Sequence, residues 1–513
     1  MKSGLHRHNP HVIAEMLGQR DQALAMADML YERLQAKLAP FGQEHVLRWW
    51  PELTEQQQAE LAAEIENVDL AELQRLFLQW QTTPTPVPFD WNEVEPPEVL
   101  RPATSFAAWE EEQQASAVGE RALRQGEVAI CLVAGGHGSR LGHPGPKGTF
   151  PIGPVSNRSL FQVHAEKVLA LSQRYEVPLR FYIMTSPDND AATRGWFAEH
   201  RYFGLPPEQV VFFSQGTLPA LDKNTGRLLM RSKFHLALGP NGHGGFLAAV
   251  RDAHILDEIQ QRGIKWLFYF QVDNPLVKIA DPLFLGQHIR ANADVSVKVA
   301  RRRHAQEKLG QVIRYRGRYY LVEYTEIPLE YQSKRDATGS FWLDAGNTAI
   351  HVFSVAFLQR LIEQKTILPY HGAIKKVPFL SDTGELVEPE QPNAVKWEQF
   401  IFDVLPLARR VLIVETSRRE EFEPLKNASG ENSPETVRAA LSELYASWLE
   451  QAGVAVSRTP QGQVRVPIEI SPLVALDAGD LRGQVEHLAV IDKPLVLERA
   501  NPPECATISR PER

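Results

Sequence analysis

Apolar residues recur every three or four positions through most of the first hundred residues. The stretches DQALAMADMLYERLQAKL and TEQQQAELAAEIENVDLAELQRLFLQW both show this spacing, which places apolar side chains on one face of a helix. Three prolines, Pro84, Pro86 and Pro88, then interrupt the pattern and predict a stiff, extended connector. The pattern therefore predicts an N-terminal helical region over residues 1–100.

From about residue 103, short apolar runs alternate with amphipathic helical stretches. The runs are VAICLV, LRFYIMT, QVVFF, WLFYFQVD and DVSVKVA. Between them lies RSLFQVHAEKVLALSQRY, where Ser159 precedes Gln162 by three residues in a capping-box pattern. Apolar strands that alternate with helices are typical of an α/β protein whose mostly parallel sheet is covered on both faces. Ligands of such sheets bind beyond the carboxyl ends of the strands.

After residue 310 the strand-like segments alternate between apolar and polar residues, as in GRYYLVEYTEI and NTAIHVFSV. This pattern predicts an antiparallel insertion or an extension of the sheet. Beyond residue 455 the segments read as short strands with turns. We therefore expect three parts: the helical region 1–100, a large α/β domain over 101–455, and a small β-rich domain over 456–513.

Composition narrows the class of protein. The chain has 513 residues and a formal net charge of −8, which does not suggest a protein that coats nucleic acid. Its two cysteines, Cys131 and Cys505, form neither a metal quartet nor a disulfide framework, and we expect Cys131 in the core. No apolar run approaches a membrane span, and the first residues carry no signal sequence. We expect a cytoplasmic protein with no nucleic-acid or membrane partner.

The run VAICLV continues into a glycine-rich stretch, VAGGHGSRLGHPGPKGT (133–149). Glycines let backbone amides approach a ligand closely, and such a loop after a strand is typical of a phosphate site. The dinucleotide motif fails, because Gly136, Gly138 and Gly142 are spaced one residue too widely. The P-loop fails as well, because Lys147 is followed by glycine. What remains is a bare loop with two cations, Arg140 and Lys147, which suits a polyphosphate with a metal.

Asp273 ends the buried run WLFYFQVD. A carboxylate at the carboxyl end of a parallel strand suits Mg²⁺, which prefers one or two carboxylates, waters and phosphate oxygens. The alternative is a cap for a turn, since Asn274 and Pro275 follow. Gln215 comes after the strand QVVFF, and its side-chain amide offers one donor and one acceptor to a ligand.

These residues stand in a pattern that resembles the signature of the sugar-nucleotide uridylyltransferases. The stretch LVAGGHGSRLGHPGPKGTFPIG is similar to that of the eukaryotic-type UDP-N-acetylhexosamine pyrophosphorylases and their UDP-sugar relatives. Further segments match in order over residues 100–475, namely SQGTLPAL, PNGHGG, FQVDNPLVKIADP, VEYTEI, DAGNTAIHVFS, LPYHGAIKKVP, VKWEQFIFD and EEFEPLKNA. The resemblance implies a Rossmann-like, mostly parallel sheet of the nucleotide-diphospho-sugar transferase type, with the catalytic nucleotidyltransferase domain over 101–455.

The implied reaction joins a sugar 1-phosphate to UTP, giving a UDP-sugar and pyrophosphate with Mg²⁺ or Mn²⁺ as cofactor. The resemblance assigns roles residue by residue. Implied catalytic residues are Arg140, Lys147 and Lys396, with Lys426 on phosphate and Asp273 on the metal. Implied nucleotide contacts are Gly135, Gly136, Gly138, Gln215, Gly242, His243 and Asp273. Implied sugar contacts are Gly244, Glu323, Asn347, Phe400 and Phe402.

Taken alone, several of these residues have plainer explanations. Phe400 and Phe402 would be core residues, and Lys396 and Lys426 ordinary surface lysines. The basic run RRRH at residues 301–304 lies outside the family segments, and we interpret it as a solvated strand end. His137, within the glycine loop, has no assigned role.

The sugar and the class of activity leave alternatives. N-Acetylglucosamine 1-phosphate or N-acetylgalactosamine 1-phosphate is favoured by the segments VEYTEI, DAGNTAIHVFS and PLKNA. Glucose 1-phosphate is favoured by His243, where N-acetylhexosamine members usually have asparagine. A glycosyltransferase would usually mark its metal site with two aspartates flanking one residue, which QVDNP lacks. A sensor of nucleotide sugars would not need the cations. The chain could be a monomer or a homodimer.

Overall fold

A computed structural model describes residues 28–82 and 89–499, together with the backbone of 507–508. Cys505 and part of the proline connector lie outside the described residues. A first helix covers residues 28–38 (α1). The helices that follow are Glu55–Glu66 (α2), Leu70–Thr82 (α3), Phe106–Arg124 (α4), Leu160–Tyr175 (α5), Asp190–Glu199 (α6), Phe246–Asp252 (α7), Ile255–Gln261 (α8), Pro282–Arg290 (α9), Leu329–Ser333 (α10), Val355–Glu363 (α11), Arg418–Glu421 (α12) and Pro434–Gln451 (α13).

The strands occur in all parts of the chain that follow the connector. In chain order they are Val94–Glu95 (β1), Val128–Val133 (β2), Phe181–Thr185 (β3), Val210–Ser214 (β4), Thr217–Pro219 (β5), Leu221–Asp222 (β6), Met230–Ser232 (β7), His235–Leu236 (β8), Leu238–Pro240 (β9), Trp266–Gln271 (β10), Val295–Ala300 (β11), Gln311–Tyr315 (β12), Arg318–Val322 (β13), Gly346–Ser354 (β14), Tyr370–Lys375 (β15), Phe379–Leu380 (β16), Leu386–Val387 (β17), Ala394–Gln399 (β18), Val411–Glu415 (β19), Ile468–Ile470 (β20), Leu495–Glu498 (β21) and Thr507–Ile508 (β22).

The chain folds into two compact units. The larger unit takes Pro88–Gly216, His243–Leu368 and Phe400–Arg513, and the smaller unit takes Met1–Val87, Thr217–Gly242 and Pro369–Gln399. This division differs from the three consecutive segments expected from the sequence. The described N-terminal helices share a core with Leu221, Leu236, Val395 and Trp397, so two internal insertions complete their apolar face. The C-terminal segment packs as part of the larger unit.

The larger unit is built on a mixed sheet with a parallel centre. Strands β10, β2, β3 and β4 pair in parallel in that order, with Tyr269 opposite Cys131 and Cys131 opposite Tyr182. All six residues of β2 are buried. Because successive side chains point to opposite faces, Ile130 and Leu132 enter one core and Ala129 and Cys131 enter the other. The predicted α/β class, with a sheet covered on both faces, is confirmed.

The antiparallel extension is also confirmed. Strand β14 runs antiparallel to both β10 and β11, and the hairpin of β12 and β13 joins it where Gln311 pairs with Gly346. The strands beyond residue 455 are short, and β20 pairs in parallel with β21. Among the described residues, no helix has the length and apolar content that a membrane crossing requires.

Candidate active site

The glycine-rich loop begins directly after β2 and folds back on itself. The amide of Gly138 donates to the carbonyl of Gly145 at 3.0 Å, and the amide of Lys147 donates to the carbonyl of Gly136 at 3.0 Å. These bonds draw Lys147 back to the carboxyl end of β2. Gly136 is exposed, and a methyl group there would meet no atom within 4 Å. Its backbone is therefore open to a ligand.

Two polar residues that sequence reasoning missed hold the loop from the neighbouring strand. Nδ2 of Asn189 donates to the carbonyl of Ala134 at 2.9 Å and to that of Gly136 at 3.4 Å. Oγ of Ser186 donates to the carbonyl of Gly135 at 2.9 Å. Both residues are buried and follow the end of β3. The signal in the sequence is their position at a strand end, where polar side chains meet the next loop.

Gln215 lies against the first glycine of the loop. Its backbone amide donates to the carbonyl of Thr185 at 3.0 Å, which fixes it at the end of the parallel strands. A methyl group on Gly135 would overlap Nε2 of Gln215, so a glycine is required for this approach. Oε1 of Gln215 is buried and accepts no hydrogen bond from the described residues. A buried acceptor without a donor is uncommon, and it suits the N–H of a bound base.

Asp273 is the centre of a charged cluster at the end of β10. Nζ of Lys426 lies 2.6 Å from Oδ2 of Asp273, and Nζ of Lys147 lies 3.3 Å from the same oxygen. Burial alone would raise the pKa of Asp273, but the charges of Lys426 and Lys147 outweigh it and hold that pKa at about 2. Burial lowers the pKa of Lys147. The cluster brings a carboxylate and two cations to the glycine loop.

The residue after Asp273 holds the segment that carries Lys426. Nδ2 of Asn274 donates to the carbonyl of Glu421 at 2.6 Å, and Oδ1 of Asn274 accepts from the amide of Glu423 at 3.3 Å. The amide of Leu425 also donates to the carbonyl of Asp273 at 2.7 Å. Asn274 is therefore more than the turn residue suggested by the sequence, because its side chain docks residues 421–425 against the strand end.

The end of β10 has the oxygen ligands that a divalent metal needs only in part. A single carboxylate such as Asp273 fits Mg²⁺, which takes one or two carboxylates and completes its shell with waters and substrate phosphates. No group of three or more His, Cys, Asp or Glu side chains in the described part of the chain is arranged to hold a metal by itself. The site therefore fits a metal that arrives with a polyphosphate, and Asp273 is its candidate protein ligand.

Arg140 stands apart from the Asp273 cluster. It lies on the exposed short turn Ser139–Leu141, and its side chain makes no hydrogen bond or ion pair with any described residue. An unpaired guanidinium on a glycine-rich loop is available to a phosphate group. Burial is the main cause that lowers the pKa of Lys147, and the positive charge of Arg140 lowers it further.

His243 belongs to a small aromatic cluster in the larger unit. Its ring lies 5.3 Å from that of Phe400 in a stacked arrangement and 5.5 Å from that of Phe402. Nδ1 of His243 accepts a hydrogen bond from the amide of Ile401 at 3.1 Å. Phe402 is buried in the core and Phe400 is half-buried. Gly244, next to His243, is buried in the turn that leads into α7.

Glu323 and Asn347 meet at a glycine that sequence reasoning missed. The amide of Asn347 donates to the carbonyl of Gly310 at 2.9 Å, and a methyl group on Gly310 would lie 3.4 Å from Oε1 of Glu323. Oδ1 of Asn347 accepts from the amide of Ala349 at 3.0 Å. The two predicted sugar residues thus flank the backbone of Gly310. The local sequence around this glycine, LGQ at residues 309–311, contains no motif that would have predicted its place in the site.

Two predicted residues belong to the smaller unit. Lys396 lies on β18, and a methyl group on Gly239 would overlap its ammonium. Lys396 forms no hydrogen bond or ion pair with a described residue. Gly242 has φ +84°, and a side chain there would meet the carbonyl of Gln399 at 2.5 Å, so this position also requires glycine.

Comparison with known proteins gives a consistent result. The profile of a family described as UTP–glucose-1-phosphate uridylyltransferase matches residues 71–468. The chain is 35% identical over 493 residues to UDP-N-acetylhexosamine pyrophosphorylase-like protein 1 of Xenopus tropicalis. That alignment covers 90% of this chain and 95% of the frog protein. It is 42% identical over 351 residues to UDP-N-acetylglucosamine pyrophosphorylase of Saccharomyces cerevisiae, covering 66% and 73% of the two chains.

A solved structure shares the fold. The crystal structure of the uridine diphosphate N-acetylglucosamine pyrophosphorylase from Trypanosoma brucei in complex with inhibitor matches with a TM-score of 0.75 and 28% identity. That match covers 90% of this chain and 98% of the trypanosomal one. The similarity in sequence and in fold therefore spans the glycine loop, the Asp273 cluster and the residues around Gly310.

Proposed function

The chain belongs to the UTP–glucose-1-phosphate uridylyltransferase family, and from this premise we infer that its sugar substrate is N-acetylglucosamine 1-phosphate. The products are then UDP-N-acetylglucosamine and pyrophosphate. The transfer reaction itself is supported by the junction at the ends of β2 and β10, where Lys147 and Lys426 meet Asp273 beside the open glycine loop. The relatives that match most of the chain are named for N-acetylated sugars, which favours that sugar over glucose.

The chemical step requires positive charge more than it requires a base. An oxygen of the sugar phosphate attacks the α-phosphorus of UTP, and the bond from that phosphorus to the bridging oxygen breaks as pyrophosphate leaves. The attacking oxygen carries no proton near pH 7, because the second pKa of a phosphate monoester is about 6. Lys147 and Lys426 would offset the charge that accumulates at phosphorus. Arg140 would hold the departing phosphates with paired N–H donors.

Recognition of the base is assigned to Gln215. Its buried Oε1 would accept the N–H of the uracil ring, and its amide group would donate to a neighbouring carbonyl of the base. A cytosine presents the opposite donor and acceptor, so it would leave the buried oxygen unsatisfied. The bare backbone at Gly135 and Gly136 would let the nucleotide approach the strand end.

We propose Mg²⁺, or Mn²⁺ in its place, as the cofactor, with Asp273 as its protein ligand. When bound, the ion would neutralise phosphate charge and orient the triphosphate. The chain's own contribution is to hold the carboxylate of Asp273 ionised, since the two lysines keep its pKa at about 2. The cytoplasmic location stays a prediction from the sequence.

The sugar side is assigned to Glu323 and Asn347 around Gly310, with the rings of His243 and Phe400 as an apolar wall. Phe402 is buried behind them and supports the wall rather than lining it. An acetamido group carries a methyl that packs on aromatic rings, which supports an N-acetylated sugar. His243 remains compatible with this, because its ring stacks on Phe400.

The test is the rate of pyrophosphate release from UTP with each sugar phosphate. We expect kcat/KM to be highest with N-acetylglucosamine 1-phosphate, with N-acetylgalactosamine 1-phosphate as the nearer competitor. A preference of about a hundredfold for glucose 1-phosphate, roughly 2.7 kcal/mol at this scale, would contradict the proposal. Replacing UTP by CTP serves as a control for the base. A glycosyltransferase would instead transfer sugar from a UDP-sugar to an acceptor and would release no pyrophosphate from UTP.

A further inference from the structure

The interpretation of the basic run at residues 301–304 as a solvated strand end is wrong for Arg302. Arg302 is 7% exposed, donates to the carbonyl of Gln332 at 2.8 Å and packs on the ring of Phe341. The guanidinium of Arg303 is paired with the carboxylate of Glu423. The run therefore leads from β11 into packed structure, and Arg303 opens onto a cleft.

That cleft belongs wholly to the larger unit and has a volume of about 1080 Å³. We call it the arginine cleft, because arginines from four separate segments line it: Arg303, Arg418 with Arg419, Arg438, and Arg465. The carboxylates that line it are those of Glu423, Glu435 and Glu443. Five arginines face three glutamates in a chain whose formal net charge is −8. The local charge is thus opposite to that of the whole chain.

Most of these carboxylates are already neutralised. Glu443 is paired with Arg458 at 2.6 Å, and Glu423 is paired with Arg303. Arg418 is paired with Glu307 at 2.9 Å. Glu435 is the lining carboxylate that makes no ion pair with a described residue, and it opposes the positive charge of the cleft.

The remaining arginines have donors to spare. The side chains of Arg419 and Arg465 make no hydrogen bond or ion pair with the described residues, and Arg438 donates only to the carbonyl of Pro151 at 2.7 Å. Nε of Arg418 is buried and has no acceptor among the described residues. A buried donor without an acceptor is unfavourable. Planar guanidinium forks match phosphate oxygens in pairs, so several of them in one cleft suit an anion with more than one phosphate group.

We propose that the arginine cleft is a second anion site, distinct from the catalytic cluster, which binds a compact inorganic polyphosphate. Two kinds of ligand have this chemistry: pyrophosphate, which is the product of the proposed reaction, and longer inorganic polyphosphate chains.

Two short segments connect this cleft to the catalytic lysines. Arg303 holds the carboxylate of Glu423, whose amide donates to Asn274 at 3.3 Å, and Lys426 follows three residues later. On the other side, Arg438 holds the carbonyl of Pro151, which lies just after the turn Lys147–Thr149. An anion that draws Arg303 away from Glu423 loosens the segment that presents Lys426. Occupancy of the cleft therefore changes turnover.

Binding is tested by titrating the full chain with inorganic tripolyphosphate in a calorimeter at physiological salt. We compare the wild type with Arg419→Ala/Arg465→Ala, because these two side chains have no hydrogen-bond or ion-pair partner among the described residues. Arg482→Ala is the matched control, since Arg482 is exposed, lies outside the cleft and makes no side-chain bond to a described residue. We expect the double variant to bind one molecule fewer than the wild type, or that molecule at least about tenfold more weakly. Equal stoichiometry and affinity in all three proteins would overturn the proposal. So would equal binding of sulfate, which indicates an adventitious ion only.

The effect on turnover is tested by initial rates at saturating UTP and sugar phosphate. This readout rests on the proposed function, whereas the binding readout does not, so a failure of one is distinguishable from a failure of the other. We expect equal basal rates in the three proteins. Added polyphosphate should change the rate of the wild type and Arg482→Ala more than that of the double variant, in which pyrophosphate acts only as the product at the catalytic site. A larger difference with pyrophosphate than with tripolyphosphate would identify the product as the ligand, and the reverse order would identify longer chains. Binding without any change of rate would overturn the role in turnover.

Discussion

Nζ of Lys426 lies 2.6 Å from Oδ2 of Asp273, and it reaches that oxygen from a segment that is distant along the chain. The segment is held in place by Asn274, the residue next to Asp273. Lys147 reaches the same oxygen from the glycine loop at 3.3 Å. One carboxylate therefore fixes the separation of two cations.

Replacement of Asp273 by asparagine removes the charge on which both lysines converge. We expect Asp273→Asn to lower kcat by at least about a hundredfold. The two lysines would no longer be held where they stabilise the charge that develops at phosphorus, and loss of one such stabilising group costs roughly that much in other enzymes. The far-ultraviolet circular dichroism should be unchanged. The control is Asp252→Asn, which changes an exposed aspartate on α7. Turnover within a few-fold of the wild type would contradict the assigned role of Asp273.

Replacement of Lys426 by methionine removes one positive charge and keeps an unbranched side chain of similar length. We expect Lys426→Met to lower kcat by about 10²–10³-fold, with a smaller change in melting temperature, because the side chain is 43% exposed. Lys493→Met is the matched control, since Lys493 is exposed and its side chain forms no hydrogen bond or ion pair with a described residue. An equal loss in both variants would show that general positive charge, rather than the contact with Asp273, matters.

Replacement of Gln215 tests the recognition of the base. We expect Gln215→Ala to lower kcat/KM for UTP by about 10–100-fold, since two hydrogen bonds of roughly 0.5–1.5 kcal/mol each would be lost. The preference for UTP over CTP should fall with it. Gln260→Ala, at an exposed position on α8, should leave both values unchanged. A Gln215→Ala enzyme that still rejects CTP would place base recognition elsewhere.

Three buried histidines predict how stability depends on pH. Burial lowers the pKa values of His164, His288 and His351 to about 3, whereas the unfolded chain has histidine pKa values of about 6.5. Between pH 6.5 and 3 the unfolded chain therefore binds more protons, so the free energy of unfolding falls as the pH falls through this window.

His351 offers the cleanest single substitution for this test. Its ring stacks on Phe353 at 5.6 Å, and both ring nitrogens are buried. We expect His351→Phe to move the midpoint of acid unfolding to lower pH, as followed by tryptophan fluorescence. Exposed His254→Phe is the control. An unchanged midpoint in His351→Phe would contradict the account.

The division into units shows where local pattern stops being informative. The helical spacing of the first hundred residues correctly predicted helices within the described part. It could not predict that Leu221, Leu236 and Val395 complete their core, because an apolar face in a helix does not specify which distant segment covers it. The three expected segments therefore became two interleaved units.

The sequence by itself determined what depends on short-range pattern. The apolar runs and glycine spacing defined the parallel strands, the loop after β2 and the carboxylate at the end of β10, since each is encoded within a few consecutive residues. Only the tertiary structure decided which side chains meet. The convergence of Lys147 and Lys426 on Asp273, the hold of Asn189 on the loop and the place of Gly310 depend on chain segments brought together by packing. Such contacts depend on how the whole core packs, and the spacing of residues within a short segment does not predict this packing.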